Sequence, residues 1–365
     1  MRVWGALWKA VVGEQVGPVT RGILGPLLTA LTFPYDWAHQ LRLQAYQRHW
    51  LPVRRLPCRV ISVGNLTLGG TGKTPIVETI ADLLQQEGLR VGILGRGYGG
   101  SARHAPTIVS DGTSCLVSPD VAGDEPVLLA EHLPGVPVVV GADRYASGML
   151  AIERFGVSVL ILDDGFQHRR LARDLDILLL DALRPFGTGR LFPRGDLRER
   201  RSAMARADAI VFTHWDPDGA GTLAALDLPR PAPPLFYSQH QPLDILVFAD
   251  GRSLPLTSIR GRRVMAFCGI GTPERFQQTL QRLEAKVVAC EAFPDHHPFT
   301  RSELDHLVET ARRHGAEVLI TTEKDGVRLR KHLPLPEHLW ALRIRTRIMA
   351  HTDIWKACLL GSPRA

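Results

Sequence analysis

An α/β fold is predicted, with a parallel sheet flanked by helices and a second, smaller α/β domain after it. Three observations carry the prediction. From residue 59 onward, short apolar runs that end in glycine or a carboxylate alternate with helical stretches. A glycine-rich turn links the first run to the first helix. A proline cluster, RPAPP at 230–234, separates a longer block of this kind from a shorter one.

Strands are expected at Arg59–Val63, Arg90–Leu94, Val136–Val140, Val157–Leu162, Asp176–Leu180 and Ala209–Thr213. Each is a short, nearly continuous apolar run, the pattern of a strand covered on both faces. Helices are expected at Thr74–Glu87, Pro126–Glu131 and Arg144–Arg154, where apolar residues recur at helical spacing. After the prolines, Val264–Cys268 and Glu317–Thr321 read as strands, and Pro273–Glu284 and Arg301–His314 as helices. The domains are therefore expected at 1–58, 59–230 and 235–365.

The first of these is set apart by charge. The chain has a net charge of +7, and residues 1–60 hold eight basic residues against Glu14 and Asp36, so six of the seven excess charges fall there. Trp4, Trp8, Trp37 and Trp50 lie in the same stretch. Cations beside indoles and leucines suit a helix lying in a membrane interface, because cations meet anionic lipid and indole prefers the headgroup level. A helix packed on the protein's own core is the plainer alternative. The longest apolar run there, Gly22–Pro34, contains Pro26 and is too short to span a bilayer, which needs about 20 residues. It also begins too late for a signal peptide. Five scattered cysteines without a CxxC pair exclude a zinc ribbon and suit a reducing compartment. The basic balance alone does not indicate nucleic acid, since no stacking-aromatic or recognition-helix motif accompanies it.

The richest motif is Ser62-Val-Gly-Asn-Leu-Thr-Leu-Gly-Gly-Thr-Gly-Lys-Thr-Pro75. A strand, a glycine loop and a helix beginning at Gly-Lys-Thr form a phosphate-binding loop (P-loop). Its backbone N–H groups and the helix N-terminus cradle phosphate oxygens, Lys73 reaches the outer phosphates, and the Thr74 hydroxyl can ligate Mg²⁺. Thr67, Leu68, Gly69, Gly70, Thr71, Gly72, Lys73 and Thr74 are the candidate ATP-binding residues. Thr67 stands where the strict pattern has glycine. Leu68 stands where deviant-Walker ATPases carry a lysine, and the sole asparagine, Asn65, rules out a guanine-reading NKxD. The run Val159-Leu-Ile-Leu-Asp-Asp164 resembles a Walker B strand, and Asp163 or Asp164 is its candidate Mg²⁺ ligand.

Two further motifs are ambiguous from spacing. Asp124 and Glu125 in AGDEP read as first-turn acids of a helix, and His296 in FPDHHPF reads as a structural histidine.

Taken together, GNLTLGGTGKTP, GRGYGG, AGDEP, DRY, LDDGFQHRRLARDLDILLLD, GRLFPRGDLRER, FCGIGTPERF, FPDHH and TTEKDGVRL resemble, in this order, the tetraacyldisaccharide 4'-kinase family of lipid A biosynthesis. The resemblance covers residues of about 60 to 330, and the DDGFQH block is specific to that family. It implies transfer of the ATP γ-phosphate to the 4' hydroxyl of a tetraacyldisaccharide 1-phosphate. It also implies a peripheral location at the cytoplasmic face of a Gram-negative inner membrane. Asp124 is implied as catalytic base with His296 as its partner across the two blocks, and Glu125 as a Mg²⁺ ligand with Thr74 and Asp163 or Asp164. Tyr98, His168 and Arg198 are implied on the substrate side, with the sugar entering a cleft between the blocks. The fold implied is a P-loop NTPase-type sheet with a membrane-associating N-terminal helix. Two departures stand out: GTGRLFPRGDLRER for the family's GNGRLLPAGPLREP, and Gly326 for alanine in TTEKDAVRL.

Overall fold

A computed structural model describes residues 18–102, 105–216 and 226–361. It is an α/β protein whose strands are mostly parallel. The chain divides into two compact units, one drawn from Met1–Val91, Val157–Gln239 and Ile348–Ala365, the other from Gly92–Gly156 and His240–Arg347.

In the first unit, β1 (Arg59–Asn65) is the central strand. It pairs in parallel with β5 (Val159–Asp163) on one side and β6 (Leu175–Asp181) on the other. β7 (Ala209–Thr213) and the start of β8 (Leu235–Val247) extend the parallel order beyond β6. All of β5 and β7 is buried, which explains the continuous apolar runs in the sequence. The helix Lys73–Gln86 packs on this sheet through Ile76, Val77, Ile80 and Leu84. A C-terminal helix, Thr352–Leu360, buries Trp355 edge-on against Phe236, ring centroids 4.8 Å apart.

The N-terminal helix runs from Pro18 to Gln47 through Pro26 and Pro34. Prolines cannot donate to the helical ladder. Here the hydroxyls of Thr29 and Thr32 add bonds to the carbonyls of Gly25 and Leu28, at 2.8 and 3.0 Å. One stripe of the helix packs inward. Tyr35 donates to the Arg198 carbonyl at 2.9 Å, Asp36 pairs with Arg200, and His39 lies 3.8 Å from Glu199. The other stripe exposes Leu27, Leu31, Phe33, Trp37 and Leu41. The core-packed alternative thus describes one face of the helix, and the other face lies open. Residues 1–17 of the basic segment lie outside the described residues. Among the described residues, no helix is long and apolar enough to cross a membrane.

The second unit holds β2 (Val91–Gly95, its first residue in the other unit), β3 (Thr107–Ser110) and β4 (Val138–Val140), with β4 parallel to β2 and antiparallel to β3. It also holds β9 (Ser253–Leu254), β10 (Arg263–Cys268), β11 (Lys286–Ala292), β12 (Val318–Thr322) and most of β13 (Leu339–Ile348). β10 to β13 pair in parallel in the order β11-β10-β12-β13. Helices Pro273–Arg282 and Arg301–Arg313 cover them, the second closed at its start by a Thr300–Glu303 capping box. The units interleave along the chain, whereas the sequence reading divides it consecutively, at 58–59 and again near 230–235. A parallel strand needs a crossover before its neighbour can form, so residues 92–156 leave and return between β1 and β5.

Candidate active site

Each unit carries one group of the expected residues. The first unit has the P-loop, Asp163, Asp164, His168 and Arg198, and the second has Tyr98, Asp124, Glu125 and His296.

The P-loop follows β1 as expected. The turn leaves β1 over Gly64, where a Cβ would stand 2.6 Å from the Cβ of Phe166, so only glycine permits the approach. Gly72, at φ 73°, starts the helix, and no side chain caps it. Cβ atoms at Gly69 and Gly70 would meet nothing within 4 Å. Open space beside uncapped N–H groups is a cradle that fits phosphate oxygens. The Asn65 side chain braces the loop by donating to the Thr71 hydroxyl at 2.7 Å. A segment remote in sequence braces it again. Leu68 N–H donates to the Asp196 carbonyl at 2.7 Å, Arg198 N–H to the Leu66 carbonyl at 2.7 Å, and Thr67 bridges to Leu197. The departing block 187–200 is therefore part of the scaffold of the phosphate loop.

Asp163 ends β5, and Asp164 follows with φ 56°, which swings its carboxylate toward two cations. Arg198 Nη1 lies 2.9 Å from both carboxylate oxygens, and Lys73 Nζ lies 3.7 Å from one. Arg198, expected on the substrate side, is thus engaged by Asp164 and, at 3.4 Å, by the Gln167 side-chain oxygen Oε1. Gln167 in turn donates to the Asn65 carbonyl at 2.8 Å. His168 N–H donates to the Gly165 carbonyl at 2.8 Å, and Arg173 donates to the His168 carbonyl. Thr74, Asp163 and Asp164 supply only oxygen donors, which suits Mg²⁺. Among the described residues, no three His, Cys, Asp or Glu side chains form a ready-made metal cage.

In the second unit, the helix Asp124–His132 begins at Asp124 itself, after Gly123 at φ 91°. A Cβ on Gly123 would clash with the Tyr98 carbonyl oxygen, so AGDEP and GRGYGG need each other's glycines. The carboxylate of Asp124 accepts from His296 Nδ1, 3.1 Å from both oxygens, and from Arg328. It is therefore not serving as a helix cap. Burial pushes this carboxyl up, but the His296 hydrogen bond and the charges of Lys324 and Arg328 outweigh burial and hold it well below the usual range. Glu125 pairs with Lys324 Nζ at 2.8 Å. Burial raises the Glu125 carboxyl and the Lys324 charge lowers it further, so the net shift is downward. Lys324, which also lies 3.7 Å from Asp295 and 3.4 Å from His296 Nε2, is held protonated by these carboxylates against the effect of burial. The exposed ring of Tyr98 lies 6.3 Å from that of His296.

Asp124 and His296, expected to meet across two blocks, lie in one unit. Lys324 and Arg328 were not singled out from sequence, although their spacing of four on a helix puts two cations on one face.

A family model described as LpxK, Tetraacyldisaccharide-1-P 4'-kinase, matches residues 24–361. The Tetraacyldisaccharide 4'-kinase of Syntrophus aciditrophicus is 45% identical over 348 residues, covering 92% of this chain and 93% of that protein. That of Geobacter sulfurreducens is 43% identical over 339 residues, covering 92% and 94%. A crystal structure of LpxK from Aquifex aeolicus in complex with ATP is similar with a TM-score of 0.75 at 35% identity, covering 92% of this chain and 98% of that one.

Proposed function

The chain belongs to the tetraacyldisaccharide-1-P 4'-kinase family, and from that premise we propose that it transfers the γ-phosphate of ATP to the 4' hydroxyl of a tetraacyldisaccharide 1-phosphate. The product is lipid IVA, a lipid A precursor. The observation that carries a kinase over a nucleotide switch is the pairing of buried Asp124 with the part-exposed His296, since hydrolysis alone requires no base for a sugar hydroxyl.

Thr67 to Thr74 bind the ATP phosphates, with Lys73 at the outer ones. This assignment is supported by the open space at Gly69 and Gly70 and the uncapped helix start. Mg²⁺ would be held by Thr74 with Asp163 or Asp164. Bound there, it would neutralise charge on the phosphate oxygens. Glu125, whose Oε1 accepts from Lys324 at 2.8 Å, would join that set through its other oxygen. Asp124 accepts the proton of the attacking hydroxyl, and His296, bonded to the same carboxylate, shares it. Tyr98 is assigned to the sugar side because its ring stands beside that of His296, and His168 and Arg198 are assigned to the substrate side on the family resemblance, Arg198 while it holds Asp164.

Peripheral attachment at the cytoplasmic face of the inner membrane of a Gram-negative bacterium belongs to the same proposal. Its support is the exposed stripe Leu27, Leu31, Phe33, Trp37 and Leu41. Beside that stripe lies a groove of about 600 Å³, lined by Pro26, Ala30 and Phe33 together with Arg190 and Arg194. Its apolar and cationic walls suit the acyl chains and a phosphate of the acceptor.

The test is phosphate transfer from γ-labelled ATP, with and without tetraacyldisaccharide 1-phosphate in mixed micelles. Label on the lipid at the 4' position is expected. ATP hydrolysis indifferent to the lipid, with no labelled lipid, would overturn the reading.

A further inference from the structure

Arg328 occupies the centre of the second unit's charged cluster, and nothing in the reaction as proposed above gives it a part. It lies on the helix Glu323–Leu329, and its side chain and that of Asp124 are each 8% exposed. Its Nε donates to Asp124 Oδ2 at 2.9 Å, and its Nη2 donates to the same oxygen. The remaining nitrogen, Nη1, donates to Asp325 Oδ1 at 2.8 Å and to the Gly269 carbonyl at 3.3 Å. Asp325 is itself fixed, because its Oδ2 accepts from Gly269 N–H at 3.0 Å and from the Thr322 hydroxyl at 2.6 Å. The guanidinium is thus locked on both sides.

The Gly269 carbonyl has a second visitor. It accepts the backbone N–H of His296 at 3.2 Å. His296 sits at φ 60°, a conformation unfavourable for a residue with a Cβ, which persists only where surroundings enforce it. Arg328 therefore touches Asp124 directly, approaches His296 Nδ1 to 3.3 Å through Nη2, and reaches His296 again through the carbonyl on which its backbone hangs. The two members of the pair are 172 residues apart in sequence, and this one fork ties both down. The other charged groups nearby divide differently. Lys324 serves Glu125 and Asp295 and approaches the far ring nitrogen of His296, Nε2, at 3.4 Å, and Glu125 lies on the same helix as Asp124.

We infer that Arg328 is the positioning residue of the Asp124–His296 pair. Its fork converges on Oδ2, which His296 Nδ1 also approaches at 3.1 Å, and leaves Oδ1 to His296 and the acceptor hydroxyl. A planar fork holding one oxygen of a carboxylate fixes rotation as well as distance, which a lysine ammonium cannot do. The inference rests on the reading of Asp124 as the base.

The experiment compares Arg328→Lys, Arg328→Ala, Asp124→Asn and the double variant Arg328→Lys/Asp124→Asn for kcat, the KM for ATP and melting temperature. Misplacement of a reacting group by about 1 Å can cost about 10²-fold. Arg328→Lys is expected to fold, to lose about tenfold or more in kcat and to keep its KM for ATP. Arg328→Ala, where it folds, is expected to lose about 10²-fold and to regain part of it with millimolar guanidinium. The double variant is expected to be no slower than Asp124→Asn alone, because a positioning residue has nothing left to position. Parental kcat in Arg328→Lys overturns the inference, and so does a further loss in the double variant. A kcat loss in Arg328→Ala equal to its loss of folded protein also overturns it. In these cases an inactive Asp124→Asn leaves the base assignment standing. An Asp124→Asn enzyme at parental activity would instead remove that assignment, and the inference with it.

Discussion

Arg198 Nη1 stands equidistant, at 2.9 Å, from the two carboxylate oxygens of Asp164, while Lys73 Nζ approaches the same carboxylate at 3.7 Å. The phosphate-loop lysine is thus part of a three-member charge group before any nucleotide arrives. ATP phosphates would compete with Asp164 for Lys73, and Arg198 would remain to neutralise the aspartate.

Lys73→Ala and Thr74→Ala are each expected to lower turnover at least about 10²-fold, since each removes a contact to the transferring phosphoryl group or its ion. Their melting temperatures should stay near the parent, because neither side chain supports the core. Steady-state kinetics alongside thermal melts checks this. Near-parental turnover in either variant contradicts the nucleotide assignment.

Asp124→Ala and His296→Ala should behave as one unit. A positioned base is worth about 10²- to 10⁴-fold, so each single variant should fall in that range with ATP affinity little changed. The double variant should lose less than the product of the two, because the pair shares one proton path. Fully multiplicative losses would mean two independent roles.

Gly326 is coupled to Phe248. A Cβ at Gly326 would lie 2.7 Å from Phe248 Cε1 and closer still to Cζ, so the ring fills the space that an alanine methyl would take. Gly326→Ala is expected to destabilise by about 1–3 kcal/mol through overpacking, even though alanine favours helix. Phe248→Leu in the same chain should restore most of the loss. Chemical denaturation of the two single variants and the double reads the coupling. A Gly326→Ala protein as stable as the parent would show that the ring yields freely.

The membrane proposal is best tested by point changes. Removing the whole N-terminal helix would also remove Tyr35, Asp36 and His39 from the 198–200 segment that braces the phosphate loop. Leu31→Gln, Phe33→Gln and Trp37→Gln together should release the protein from anionic vesicles while leaving the fold and ATP binding intact. Release of the parent by detergent but not by 1 M salt would assign the attachment to insertion, since charge attraction is screened over about 3 Å there. A parent that ignores vesicles altogether defeats the proposal.

Much of the fold was legible because buried parallel strands are uninterrupted apolar runs. β1, β5 and β7 were found within two residues of their ends. β8 was missed because Gln239, His240, Gln241 and Pro242 interrupt it. β13 was missed because arginines alternate through LRIRTRI, leaving a strand half open to water. The phosphate loop was legible because all its parts are contiguous in sequence. The pairing of Asp124 with His296 was not, since spacing carries no trace of a contact made over 172 residues, and family resemblance supplied it. The bracing of the loop by 196–198 was equally hidden, because backbone hydrogen bonds leave no mark on residue type.

The interleaving of the two units bears on the protein's birth at the ribosome. Domains usually fold as they emerge, N-terminal part first. Here the first unit waits for Trp355, which must reach Phe236, and the second waits for β13. Neither can close until nearly the whole chain has been synthesised. A nascent kinase therefore leaves Phe236 uncovered and the β12 edge unpaired until its last residues emerge, and its yield in the cell should depend on chaperones more steeply than its length alone suggests.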